Sequence, residues 1–264
     1  MGPINLDRTK LVEKIMTIPP AFLKAQRPKA GPIDQFERLA ETWWDSAGVM
    51  WPLHKLNQLR VPFVARAIEQ HYARGSDSRS LKGLTILDIG CGGGLLSEAM
   101  AALGATVTGV DPARRSIAIA RQHAASGGLK IEYIEGSIEA VRARVFDVVL
   151  NMEVVEHVED LGGFMSLCNA AVAPNGLQIV ATLNRNLKSF LFAIVGAEYL
   201  LRWLPRGTHD WRKFVTPTEL SVLLRKSNLE PLNSAGVSVD PLTRAYRVVE
   251  DLSVNYMIVA ARHD

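Results

Sequence analysis

"LDIGCGGG", Leu87 to Gly94, is a short apolar run that closes on glycines. With the two residues before it, the run reads as a strand, "TILDIG", entering a tight turn. The residues after the turn, "LLSEAMAALG", have helical spacing and close on Gly104, as a C-cap would. The same alternation repeats downstream. "ATVTGVD" ends on Asp111, and "RSIAIARQHAAS" has helical spacing; "KIEYIEG", "FDVVLNM" and "LQIVATLN" read as further strands. Two last strand-like runs lie near Leu232–Val239 and Val254–Ala261. Strands alternating with helices at this spacing predict an α/β fold, a mostly parallel sheet with helices on both faces. Ligands of such sheets sit outside the carboxyl ends of the strands. Gly90, Asp111 and Met152, each closing a strand, are therefore the first candidates.

The turn places Gly90, Gly92 and Gly94 between a strand and a helix, where backbone amides can approach a ligand closely. Asp111 ends the next strand, where an acid can accept both hydroxyls of a ribose. The plainer reading is a packing turn with an aspartate capping the following helix. A dinucleotide fingerprint needs a glycine three residues after the second glycine, and that position is Leu95. Asp88, just ahead of the turn, also sits poorly beside a pyrophosphate. It suits the ammonium of an amino-acid ligand, which points to S-adenosylmethionine and away from NAD.

The net charge of +3 is too small to predict nucleic-acid binding, and two cysteines, Cys91 and Cys168, can build neither a disulfide framework nor a zinc cluster. The first 32 residues have no secretory pattern and read as a flexible or loosely docked extension. From residue 33 to 264 the chain reads as one domain. Residues 33–80 form a tryptophan-rich helical cap that ends in the polar linker "RGSDSRS". "TPTEL" marks a helix start, with Thr216 as cap and Glu219 three residues later.

"LDIGCGGG", "VTGVD" and "NMEVVEHVED" resemble motifs of the class I methyltransferases. "WWD" and "PLHKLNQLR", the block from Thr182 to Leu220, and "VNYM" near the end resemble the ubiquinone-biosynthesis O-methyltransferases. The likeness runs from Phe36 to Met257; Gln58 and Asp240 depart from the family's usual proline and asparagine. It implies a Rossmann-like class I fold with a seven-stranded sheet and O-methylation of phenol or catechol hydroxyls on polyprenylated ubiquinone precursors. It also implies that Arg60, Gly90, Asp111 and Met152 line the S-adenosylmethionine site. The guanidinium of Arg60 suits the methionine carboxylate. Asp88 and Gly92 belong to the same loop, and Ser137, after the third strand, is a neighbour for the adenine. A non-catalytic subunit that binds the cofactor or a lipid is the competing class, against which the glycine loop and the acids argue.

"EVVEH" places Glu153, Glu156 and His157 just after the fourth strand. A helix starting there would put all three on one face. One reading makes them a magnesium site that activates the hydroxyl, and the resemblance favours it. Another makes His157 a general base without metal. A third makes them a helix cap. His209 and Asp210 offer a second base pair or a loop turn.

Phe190–Leu204 is apolar apart from Glu198 and Arg202, too short and too charged to span a bilayer. Lys188, Arg202, Arg206, Arg212 and Lys213 surround it. An apolar helix flanked by cations predicts an interfacial anchor on anionic lipid within a membrane-interacting insertion at residues 184–214; a buried core helix is the alternative. The expected setting is the cytoplasmic face of the inner membrane, or the matrix side in a mitochondrion, within reach of a ubiquinone-biosynthesis complex.

Overall fold

In the computed structural model, residues 32–73, 80–189, 210–240 and 243–263 are described. The extension over residues 1–31 and the apolar stretch at residues 190–209 lie outside them. The strands are β1 (Thr85–Ile89), β2 (Thr106–Asp111), β3 (Ile131–Glu135), β4 (Phe146–Met152), β5 (Val172–Leu183), β6 (Leu229–Val239), β7 (Tyr246–Val249) and β8 (Asn255–Arg262). The longer helices are α1 (Pro32–Leu39), α2 (Trp51–His71), α3 (Leu95–Ala102), α4 (Arg114–Ser126), α5 (Leu161–Ala170) and α6 (Pro217–Arg225).

The sheet order is β3-β2-β1-β4-β5-β8-β6-β7. β1 to β5 pair in parallel, and β8 runs antiparallel between β5 and β6. The order reverses between β1 and β4, the switch point at which open sheets bind ligands. Eight strands form where seven were expected. The extra one is β7, four residues pairing antiparallel with the edge of β6, too short to stand out as a run in sequence.

Both faces of the sheet are covered, so its central strands are buried on alternate sides. Ile86, Val107, Val148, Leu150, Ile179 and Met257 pack with Leu56, Val64 and Ile68 of α2 and Met100 of α3. Their neighbours Leu87, Val110, Val149, Val180 and Ile258 pack on the other face with Met165 of α5 and Leu220 and Leu224 of α6. This two-sided burial explains why the strands read as continuous apolar runs. α4 closes over β3, with Ile117, Ala120 and Ala124 against Tyr133.

Helix α2 runs down the sheet antiparallel to β4. At its far end Tyr72 Oη donates to the Asp147 carbonyl, 2.9 Å away at the start of β4. Nine residues into the helix, Arg60 reaches Glu153, just past the end of β4. The long helix therefore delivers one cation to the carboxyl edge.

The start of α6 forms as its sequence predicts. Thr216 Oγ1 accepts from Glu219 N at 3.2 Å, and Glu219 Oε2 accepts from Thr216 N at 2.9 Å. Thr216→Ala is expected to cost about 1 kcal/mol in urea unfolding and Thr216→Ser much less. Equal midpoints for Thr216→Ala and wild type would contradict this.

Candidate active site

The glycine turn is fixed from below and from the side. The amides of Gly90 and Cys91 donate to the Val110 carbonyl at 2.8 and 3.1 Å, tying the turn to β2. Gly90 and Gly92 have φ of 67° and 52°, a region that disfavours side chains. A Cβ on Gly90 would lie 2.5 Å from Val154, and one on Gly92 2.5 Å from the ring of Trp43.

Asp111 accepts from Gly92 N at 2.9 Å through one oxygen and from Ala113 N at 2.8 Å through the other. These bonds tie the glycine turn to the residue before the next helix, but they do not cap that helix as the plainer reading expects: its N-cap is Ala113, with no side-chain cap bond. Each oxygen retains a second lone pair, so the carboxylate still has capacity for ribose hydroxyls. Burial pushes its carboxyl above the usual range. Asp88 is buried beneath the turn and accepts from Ser97 Oγ at 2.6 Å. Burial, reinforced by the charge of Asp111, pushes its carboxyl up to about 6, against the opposing Ser97 bond and the charge of Arg60.

The other expected cofactor residues divide. Met152 is buried at the end of β4 and packs into the α2-side core with Leu150 and Leu56. Ser137 stands exposed two residues past β3, and its hydroxyl is committed to Glu139. Arg60 is buried and pairs through Nη2 with Glu153. Its Nε is also buried, with no partner. The buried Asp88 carboxyl, a guanidinium with an open donor and a carboxylate with spare acceptor capacity fit the zwitterionic nucleoside predicted from sequence.

The acid–histidine cluster takes a different form from that expected. Only one 3-10 turn forms, Val155–His157, and Glu153 precedes it in the left-handed region at φ 62°. The three side chains therefore share no helical face. Glu153 is turned to Arg60, while Glu156 is buried and accepts from Thr182 Oγ1 at 2.7 Å. The second oxygen of Glu156 is buried without a partner. Burial, and next the charge of Glu153, pushes the Glu156 carboxyl well above its usual range. Among the described residues no group of three or more His, Cys, Asp or Glu side chains is disposed to hold a metal. In this arrangement Glu153, Glu156 and His157 do not fit the expected magnesium site. His157 is half-buried. Asp210 accepts from Arg212 N at 3.1 Å and caps the turn Trp211–Lys213, the loop-turn reading. His209 lies outside the described residues.

Sequence reasoning assigned no role to the two tryptophans of the cap. Trp43 lies against Gly92 and Gly93, with its Nε1 donating to Ser116 Oγ at 3.0 Å. Trp44 donates to the Gly93 carbonyl at 3.0 Å and stacks on His123, ring centroids 3.4 Å apart. His123 Nδ1 in turn lies 2.9 Å from both carboxylate oxygens of Glu98. Asn57 donates to the Leu95 carbonyl at 3.1 Å. These contacts join residues far apart in the chain, so no periodicity announces them; "WWD" alone was a signal.

Asp88 has a consequence for stability. Its folded value of about 6 exceeds the ordinary 3.8, so the fold favours the protonated carboxyl. That contribution is fully present below about pH 4 and is lost as pH rises through about 6. Asp88→Asn is expected to melt above the ligand-free wild type at pH 8, by up to about 3 kcal/mol, with the gap closing below pH 4. A variant no more stable than wild type at pH 8 would contradict the assignment.

The comparisons with known proteins agree with this geometry. A family model described as a methyltransferase domain matches residues 58–234. The chain is similar to a ubiquinone biosynthesis O-methyltransferase from Methylocella silvestris, 48% identical over 253 residues, covering 90% of this chain and 99% of that one. The protein of the same name from Methylobacterium nodulans is 50% identical over 235 residues, covering 87% and 94%. Among solved structures, magnesium protoporphyrin IX methyltransferase from Synechocystis PCC 6803 with bound SAH has a TM-score of 0.59 at 16% identity, over 87% of this chain and 94% of its own. At that identity the likeness concerns the fold, the Rossmann-like class I architecture expected from sequence. Identity near one half, sustained over nearly the full length of both relatives, places this chain in the ubiquinone biosynthesis O-methyltransferase family.

Proposed function

We propose that the chain transfers a methyl group from S-adenosylmethionine to a phenolic hydroxyl of a polyprenylated ubiquinone precursor. The observation that carries this reading is the meeting of Asp88, Asp111 and Arg60 around one glycine turn at the carboxyl edge. The cofactor, when bound, supplies a methyl carbon on a sulfonium leaving group. Asp88 answers the ammonium of its amino-acid end, Arg60 the carboxylate, Asp111 the ribose hydroxyls, and Met152 supports the adenosine from below. Fixing an acceptor oxygen in line with the methyl carbon is then worth roughly 7–11 kcal/mol of barrier.

His157 is the base in this reading. It lies half-buried at the carboxyl edge, on the turn that also carries the buried Glu156. A positioned imidazole contributes about 10²–10⁴-fold. His157→Ala is expected to lower kcat at least a hundredfold while leaving affinity for S-adenosylhomocysteine within twofold. Full activity in that variant, or loss of wild-type turnover in chelator with recovery on magnesium, would move proton removal to a cation on the neighbouring carboxylates.

The acceptor's prenyl tail gives the apolar stretch its use. The chain leaves the described structure after Ser189 and re-enters at Asp210, and the turn Trp211–Lys213 packs against the turn Val155–His157. The returning end of the stretch is thus held beside the proposed base, and Trp211 ties it to Asn186 ahead of the stretch. Among the described residues no helix is long and apolar enough to cross a membrane. We assign the stretch to an anionic membrane surface, as anchor and as entrance for the tail, and the protein to the membrane face where other ubiquinone-biosynthesis enzymes act. Sedimentation with anionic liposomes at low salt is the expected result, weakening as salt rises. Wild type left in the supernatant would reject the membrane reading without touching the chemistry.

The cofactor assignment has its own test. Asp111→Ala is expected to weaken S-adenosylmethionine binding at least tenfold by calorimetry, with the variant folded, by removing charge-assisted bonds to ribose. Unchanged affinity would sink the site.

A further inference from the structure

Arg60 is held in a way that leaves its strongest mode of binding unused. A guanidinium grips a carboxylate best with two parallel donors. Here only Nη2 is engaged, by Glu153, while the adjacent Nε is buried and has no partner. A buried donor left unpaired is costly and calls for a missing acceptor. Glu153 is poorly placed to be that acceptor. Its backbone is fixed in the left-handed region, and its amide is bonded to the Ala181 carbonyl at 2.9 Å. Its side chain keeps 22% exposure against 8% for Arg60, so it is the partner with room to leave the pair.

We infer that Glu153 is a built-in stand-in for the carboxylate of the cofactor. It holds the Arg60 guanidinium in the ligand-free protein, yields it to the amino-acid end of S-adenosylmethionine, and is then released toward the acceptor side of the edge. This rests on the cofactor reading above. The charge pattern supports the exchange. Arg60 acts electrostatically on Asp88, and Glu153 acts on Glu156, so the pair couples the cofactor half of the site to the proposed base turn. A carboxylate arriving at Arg60 replaces one anion by another at the guanidinium and leaves Glu153 without a counter-charge. The arrival of the cofactor thereby changes the charge presented at the end of β4.

The test compares two nucleosides that differ in the group at issue. S-adenosylhomocysteine carries the amino-acid carboxylate, and 5′-methylthioadenosine lacks it. Removing the internal competitor raises the fraction of protein with Arg60 available, and apparent affinity follows that fraction. Glu153→Gln is expected to tighten S-adenosylhomocysteine about three- to tenfold by calorimetry, and to leave methylthioadenosine within about twofold. Glu153→Asp, which draws the carboxylate back while keeping its charge, is expected to shift affinity in the same direction by less. It replaces the first variant if melting shows that Glu153→Gln is unfolded. Unchanged or weaker binding of S-adenosylhomocysteine would show that Glu153 orients Arg60 and does not compete for it, and would overturn the inference. A parallel change in both ligands would overturn it too, since the effect would then be general to the site. Wild type that binds neither ligand would overturn the cofactor reading and this inference together. Wild-type binding with unresponsive variants overturns the inference alone.

Discussion

The buried guanidinium of Arg60 is the counter-charge on which the carboxyl edge depends. Asp88, Asp111, Glu153 and Glu156 all gather at the ends of the parallel strands, and Arg60 is the cation that α2 delivers among them. Burial drives three of these carboxyls upward from their ordinary values. An edge so rich in acids is poorly stable as a set of full charges in a low-dielectric site. It becomes favourable when a ligand brings cationic centres to it, which suits a sulfonium with an ammonium nearby. The length and direction of α2 follow from the same need: it must span the sheet to pack its apolar face and still place position 60 at the far edge.

The glycine turn serves two neighbours at once. Gly90 and Gly92 adopt left-handed backbone, and their missing side chains leave room for Val154 on one side and Trp43 on the other. The close approach made possible by glycine is therefore shared between the cap and any ligand. Trp43 and Trp44 seal the outer side of the loop, and the stack of Trp44 on His123 extends that seal to α4. The cap is thus fixed to the glycine loop, since moving it would undo hydrogen bonds to Ser116 and to Gly93.

What was legible in the sequence was what local chemistry dictates. β1, the turn and Asp111 are set by short-range pattern, and the capping box at Thr216 forms with the partners its spacing names. What escaped was set by long-range pairing. The short β7 exists because β6 offers it an open edge, a fact of the sheet that no run of four residues can announce. The helix expected from the acid–histidine spacing is cut to one 3-10 turn, because the chain leaves β4 through a left-handed Glu153. The sequence motif suggested a cofactor carboxylate as the partner of Arg60. Its present partner, 93 positions away, was not legible.

The same long-range logic fixes the two ends of the apolar stretch to the core. Before it, Asn184 and Asn186 donate to the carbonyls of Leu252 and Ser253 at 2.9 and 2.6 Å. After it, Val215 N donates to Leu183 at 3.2 Å, and the buried Tyr256 hydroxyl donates to the Val215 carbonyl at 2.9 Å. Trp211 closes the gap by donating to Asn186 at 3.0 Å. These bonds secure the return of the chain directly at the end of β5, whose Thr182 holds Glu156. An excursion rooted there can change length or composition without disturbing the sheet, because loop closure depends only weakly on length once the ends are fixed. The turn that carries His157 therefore meets the returning end of the excursion on one side, while Glu153, at the end of β4, is held by Arg60 on the other.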